Sequence, residues 1–201
     1  MDWYLKKITE CDIYKVVNIH IESLSNDILP SLGVNVLNKY YKRVISDEAQ
    51  LIFGAYSEDE LLGFCLISTS PVGLFSAVFN FDGLIALSRL ALLQPDKFYL
   101  GIMQAIKKEN IDRDAAEISF IAVSPRHQGK SIGSSMITYG TQWCFNKGIK
   151  HLQTKTANEF LLGYYIKEYA AEVLSDYYLC GRHYSEVRWA ALPKAESKCP
   201  A

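Results

Sequence analysis

The residues from Gln128 to Gly133, Gln-Gly-Lys-Ser-Ile-Gly, are the first place in the chain where type and spacing suggest chemistry. They follow an apolar, β-branched run, Ile118 to Val123, which reads as a buried strand. Pro125 cannot donate to a ladder, so that strand ends at Ser124. A loop follows, then a helix from about Ser131. Strand, glycine-containing loop and helix N-terminus together make an anion site, because free N–H groups point outward and the helix dipole adds partial positive charge. A cofactor that carries phosphates fits such a place. Two motifs compete for it. Gly129-Lys130-Ser131 matches the tail of a P-loop, but Ser124 stands where that motif needs its first glycine. The other pattern is Gln-x-x-Gly-x-Gly, which Gln128 to Gly133 meets with one departure, Ser131 in the central glycine slot.

With Ile121-Ala122-Val123-x-Pro125 ahead of it, this string resembles the acyl-CoA loop of the GNAT superfamily of N-acetyltransferases. The resemblance implies that the N–H groups of Gln128, Gly129, Lys130, Ser131, Ile132 and Gly133 hold the diphosphate of acetyl-CoA. It implies that the pantetheine arm lies along Ile121, Ala122 and Val123 as an added strand. A serine can hold a helical backbone, so Ser131 is expected to narrow the loop without abolishing it. A second block, Asn158 to Tyr165, resembles the family's Asn-x-x-Ala-x-x-Phe/Leu-Tyr, with Leu161 in the Ala slot and Tyr164 in the aromatic slot. Tyr169 and Ala170 stand where the family has Gly-Phe, which should alter the turn after that helix. The resemblance places Asn158 near the cofactor and makes Tyr165 the proton donor to the leaving thiolate. A phenol is protonated near neutral pH and can serve in that role. The plainer reading of Tyr165 is a core aromatic.

Acyl transfer to an amine also needs a base and an oxyanion donor. Gln153 stands where some family members carry a basic Glu, and an amide cannot take the proton. Glu117, six residues before Val123, has the spacing of the basic glutamate in the histone-acetyltransferase branch. Strand alternation puts Glu117, Ser119, Ile121 and Val123 on one face, with Ile118, Phe120 and Ala122 on the other. Burial there would raise the Glu117 pKa toward the working range of a base. His151, Glu159 or a water chain are alternatives, and Glu117 could also be a solvated strand-start carboxylate. The family implies the N–H of Val123 or Ser124 as the oxyanion donor. The four histidines lack metal-ligand spacing, and no Ser-His-Asp arrangement is legible, so no metal is expected.

The rest of the chain must position these groups. Trp3 to Ile8 reads as a strand, and Thr9 with Asp12 resembles a capping box before a helix over about 10–24. His20 lies on its apolar face and reads as a hydrogen-bonded core residue. A break at Pro30 to Gly33 precedes a second amphipathic helix, Val36 to Ile45. Leu51 to Tyr56 and Leu61 to Ser68 pair as antiparallel strands, with Gly63 at a bulge. Residues 70–114 read as a variable helical insertion, with helices over 84–92 and 98–108, forming core, a lid over the acceptor pocket, or a dimer surface. After the helix over 131–147 come a strand, Ile149 to Thr156, and a short helix, Glu159 to Glu168. A hairpin turns at Cys180-Gly181-Arg182, and a flexible tail spans 193–201.

The 201 residues suit one domain, and a net charge of −1 with no basic block points away from nucleic acid and membrane surfaces. Five cysteines without C-x-x-C spacing, and no signal peptide, suggest reduced thiols in the cytoplasm. The expected fold is a single α/β domain of the GNAT kind, a central mixed, mostly antiparallel sheet flanked by helices, monomeric or homodimeric. The expected reaction is direct transfer of acetyl from acetyl-CoA to a primary amine, more readily a small molecule than a protein N-terminus or lysine. The competing readings are a non-catalytic acyl-CoA sensor and a nucleotide hydrolase.

Overall fold

The computed structural model describes residues 2–25, 27–70, 81–96, 98–99, 114–179 and 182–192. The expected helix over 98–108, the turn residues 180–181 and the tail lie wholly or largely outside them. In chain order the main elements are β1 (Tyr4–Lys7), α1 (Ile13–Ser23), α2 (Ile28–Ser31), α3 (Val34–Ile45), β2 (Gln50–Ser57), β3 (Glu60–Ser68), α4 (Phe81–Leu93), β4 (Ala115–Val123), α5 (Ile132–Asn146), β5 (His151–Thr156), α6 (Glu159–Tyr169), β6 (Glu172–Leu179) and β7 (Arg182–Ala190). The seven strands form one sheet in the order β1-β2-β3-β4-β5-β7-β6. Only β4 and β5 run parallel, and every other neighbouring pair is antiparallel.

Hydrophobic periodicity sorts the helices onto two faces. On one, Val16, Val17, Leu37, Tyr41 and Val44 of α1 and α3, with Leu90 of α4, pack against Phe64, Leu66 and Ala122. On the other, Ile132, Met136, Ile137 and Cys144 of α5 and Tyr165 of α6 pack against Cys65, Ile67, Ile118, Val187 and Trp189. Each buried side chain of this size contributes about 1.5–3 kcal/mol, so both helix layers are held firmly to the sheet. In the described part of the 70–114 stretch, Ala86, Leu87 and Leu90 join the α1–α3 cluster, while Ile85, Leu92 and Leu93 are exposed.

Local expectations fail in two places. Thr9 does not cap a helix; its hydroxyl donates to Asp12 Oδ2 at 3.0 Å, and a 3-10 turn, Glu10–Asp12, intervenes before α1. Pro30 lies inside the short α2 rather than in a break, because the chain turns at Gly33, whose φ is +92°. The bulge at Gly63 is present: Ala55 pairs with Gly63, but Tyr56 pairs with Leu61, so Leu62 is the extra residue.

Candidate active site

The site is built where two parallel strands part. β4 pairs with β5 only from Ala115 to Ile118, against His151 to Thr154. Beyond that point β5 continues against β7 as far as Thr156, while β4 continues against β3 as far as Val123. Residues 119–123 therefore have a ladder on one side only. The first half of β4 is fully buried, whereas Ser119, Phe120, Ile121 and Val123 are half-buried.

Main-chain alternation decides which groups face the opening. Ser124 N–H donates to Leu62 O at 2.8 Å, so it is spent on β3 and cannot serve an oxyanion. In an antiparallel ladder the neighbouring residue then turns its N–H and C=O the other way. Val123 and Ile121 thus face the splay, and Ala122 bonds to β3. Of the three strand residues expected to hold pantetheine, Ile121 and Val123 offer main-chain groups to the cleft, and Ala122 supplies a buried side chain to the α1–α3 core. Ile121 N–H, expected as a pantetheine contact, faces the same way as Val123 N–H and is a further candidate oxyanion donor.

The expected alternation of side chains is wrong at Ser119. Leu66 pairs with Phe120 but Ile67 pairs with Ile118, so Ser119 is an extra residue in β4. This bulge reverses the faces of everything before it. Ile118 joins Ile67 under α5, and Glu117 joins the face of Phe120 and Ala122 instead of that of Ile121 and Val123. Glu117 there is 8% exposed, and its charge reaches α3: burial first, then Glu117, pushes the Tyr40 phenol pKa upward. Lys155 Nζ lies 3.9 Å from Glu117 Oε1. Gln153, in register with Glu117 on β5, is buried and accepts from Arg188 Nη2 at 3.0 Å. Of the alternative bases, His151 pairs with Ala115 at the end of β4 away from the splay, and Glu159 lies in the first turn of α6.

The loop after β4 is open. Gln128, Gly129, Lys130 and Ser131 are exposed, Gly133 is half-buried and Ile132 is a core residue. The first turn of α5 has no acidic residue and no side chain caps it, so its N–H groups remain for an anion. Gly129 has φ +76°, and a Cβ there would meet nothing within 4 Å, so its glycine is needed for conformation and not for space. Ser131 is not helical as expected; at φ 59°, ψ 9° it is left-handed, a conformation natural to the glycine it replaces. The Gln128 side chain turns back, and its Nε2 donates to Val123 O at 3.2 Å.

On the far side of β5, Asn158 caps α6, its side chain accepting from Phe160 N at 2.9 Å and Leu161 N at 3.2 Å. That leaves its amide N–H groups for a ligand. Tyr165 is 1% exposed, stacked on Trp189 at 5.1 Å between ring centroids. It shares a cluster with Ile121 and Val123, and burial, then the nearby Cys65 thiol opposite Ile121, pushes its pKa up. It is therefore held protonated beside the splay. Ala170, with φ 50°, ends α6 one residue past the family's glycine slot, and Tyr169 packs on Trp189 with its hydroxyl 2.9 Å from Thr138 Oγ1. Among the described residues no group of three or more His, Cys, Asp or Glu could hold a metal ion, and no helix is long and apolar enough to cross a membrane.

A sheet split between its parallel strands, with an uncapped helix N-terminus at the mouth of the split, is the architecture of an acyl-CoA-dependent acetyltransferase. The acetyltransferase (GNAT) family profile matches residues 16–168, and the chain belongs to that family. The fold is similar to the ribosomal-protein-S18-alanine N-acetyltransferase of Escherichia coli, at 10% identity over 98% of this chain and 99% of that one, with a TM-score of 0.62. It is also similar to a chimera of the spermidine N-acetyltransferase SpeG from Vibrio cholerae, at 14% identity over 95% and 96% of the two chains, TM-score 0.61. A third likeness is the PaiA N-acetyltransferase of Thermoplasma acidophilum in complex with coenzyme A, at 14% identity over 94% and 99%, TM-score 0.55. No curated protein matches the chain in sequence.

Proposed function

We propose that this chain transfers acetyl from acetyl-CoA directly to a primary amine, in preference a small molecule. The observation that carries the reading is the continuity of the splayed edge of β4 with the open loop at Gln128–Gly133. An extended arm paired along Ile121 and Val123 leads to a diphosphate at the N-terminus of α5. The thioester carbonyl then meets the N–H of Ile121, farther from the diphosphate than Val123, where charge develops on oxygen.

The acceptor amine approaches on the face where the bulge has put Glu117, which takes its proton directly or through water. The C–N bond forms, the C–S bond breaks, and Tyr165 gives its proton to the departing sulfur. Lys155 Nζ, 3.9 Å from Glu117 Oε1, is a cation beside the carboxylate proposed as the base. Burial of Tyr165 keeps its proton in place until a thiolate appears. The alternative of a sensor that binds acyl-CoA without turnover is favoured by Gln153, Ser131 and the Tyr169-Ala170 pair in place of Gly-Phe.

A thiol-release assay with acetyl-CoA against a panel of amines tests this. Release that depends on one amine class is expected. Tight binding of CoA with no release across small amines, polyamines and peptides would replace the enzyme with the sensor.

A further inference from the structure

The main chain of Val123 is held by a side chain that no local motif predicts. Ser23, the last residue of α1, donates from Oγ to Val123 O at 3.1 Å. Gln128 Nε2 donates to the same oxygen at 3.2 Å. A peptide carbonyl has two lone pairs, so these two donors satisfy it. Val123 lies in the half of β4 that β5 no longer supports, and its main chain faces the splay. One turn earlier on α1, His20 packs on Phe120, with ring centroids 4.8 Å apart. The end of α1 thus braces residues 120 and 123 where the ladder is missing.

Building on the acetyltransferase reading above, we propose that Ser23 is a positioning residue for the acyl-CoA arm. With both lone pairs of its carbonyl filled, Val123 presents the cleft with a donor and no acceptor. A pantetheine amide must then meet residue 123 through its own carbonyl, which fixes the direction and register of the arm. Ser23 also ties the helix on the acceptor face to the strand that carries the cofactor, through a single oxygen that the phosphate loop shares.

The test separates the arm from the nucleotide. Affinities for CoA and for adenosine 3′,5′-bisphosphate, which lacks pantetheine, are measured by calorimetry for the unaltered protein, Ser23→Ala and Ser23→Thr. Ser23→Ala suits a helix, so the fold should survive, and its melting temperature checks that. CoA should bind about 3- to 10-fold more weakly to Ser23→Ala, the bisphosphate equally well, and Ser23→Thr should restore CoA binding. Equal losses for both ligands, or no loss for either, would overturn the role of Ser23 while leaving the acetyltransferase reading intact. If the unaltered protein bound no CoA, that reading would fall, and this one with it.

Discussion

The two halves of β4 have the same kind of sequence and opposite tasks. Ala115 to Ile118 pairs with β5, Glu117 and Ile118 pair with β3 as well, and all four residues are buried. Ser119 to Val123 has β3 alone, is half open, and leans on α1 for the contacts that a second ladder would have supplied. Each half is mostly apolar with one polar residue, Glu117 in the first and Ser119 in the second, so polarity alone does not tell them apart. What separates them is the bulge at Ser119 and the departure of β5. The first half spends its main chain on stability, and the second leaves one edge unpaired by β5, the edge proposed to take the cofactor arm.

The largest expected effect is a crossed pair of substitutions, one facing each half. Tyr165→Phe keeps the ring on Trp189 and removes the hydroxyl proposed to protonate the leaving thiolate. It should lower kcat by roughly 10²–10⁴-fold with the melting temperature nearly unchanged. Ile118→Ala empties a buried site under α5 and should cost about 2–5 kcal/mol in a urea melt, with turnover per folded molecule nearly unchanged. If the two variants lost activity and stability in the same proportion, the division of labour along β4 would be wrong.

A second, smaller effect sharpens how α1 braces the open half. His20 is fully buried, its Nδ1 lies 2.5 Å from Tyr41 Oη, and burial lowers its pKa from 6.5 to about 4. Between those values the unfolded chain binds the proton and the folded one does not. The contribution of His20 is therefore complete above pH 6.5 and declines as the pH falls toward 4, at about 1.4 kcal/mol per pH unit. Stability at pH 5 should be lower than at pH 7 by about 2 kcal/mol from this group. His20→Gln removes the titration, so the gap between its stability and that of the unaltered protein should narrow over this interval. A gap that stays constant with pH would mean that the imidazole is not kept neutral against Phe120.

Much of this was legible beforehand because it rests on periodicity and on local turn chemistry. The 3.6-residue pattern of Val16, Val17 and His20, the hairpin of β2 and β3, and the strand-loop-helix string ending at Gly133 each carry their own signal. The bulge at Ser119 carries none: one extra residue in an apolar strand leaves the composition unchanged and moves Glu117 to the other face. The bond from Ser23 to Val123 spans 100 residues of sequence, and a serine at a helix end has many ordinary uses. Thr9 and Asp12 had the right spacing for a cap, but they bond to each other. At Ser131 the residue type indicates what serine tolerates, whereas the loop dictates what the position requires.

That last point supplies the smallest effect and the finest probe of the comparison. Ser131 at φ 59° and Ala170 at φ 50° are both left-handed, one in the loop between β4 and α5 and the other at the end of α6. Holding such a backbone costs an L-residue about 1–2 kcal/mol. Glycine removes that cost but brings greater freedom to the unfolded chain, which returns about 0.4–1 kcal/mol. Ser131→Gly and Ala170→Gly should each therefore gain up to about 1 kcal/mol, or a rise of roughly 2–4 °C in Tm. Their effects on CoA should differ. The Ser131 side chain is exposed and caps nothing, at the mouth of an uncapped helix, where the proposed diphosphate would approach the backbone. Ser131→Gly should tighten CoA binding as well as stabilise the fold, whereas Ala170→Gly should stabilise alone. Were both to stabilise and neither to change CoA affinity, the hydroxymethyl group of Ser131 would point away from the ligand, and the loop would hold phosphate as well with serine as with glycine.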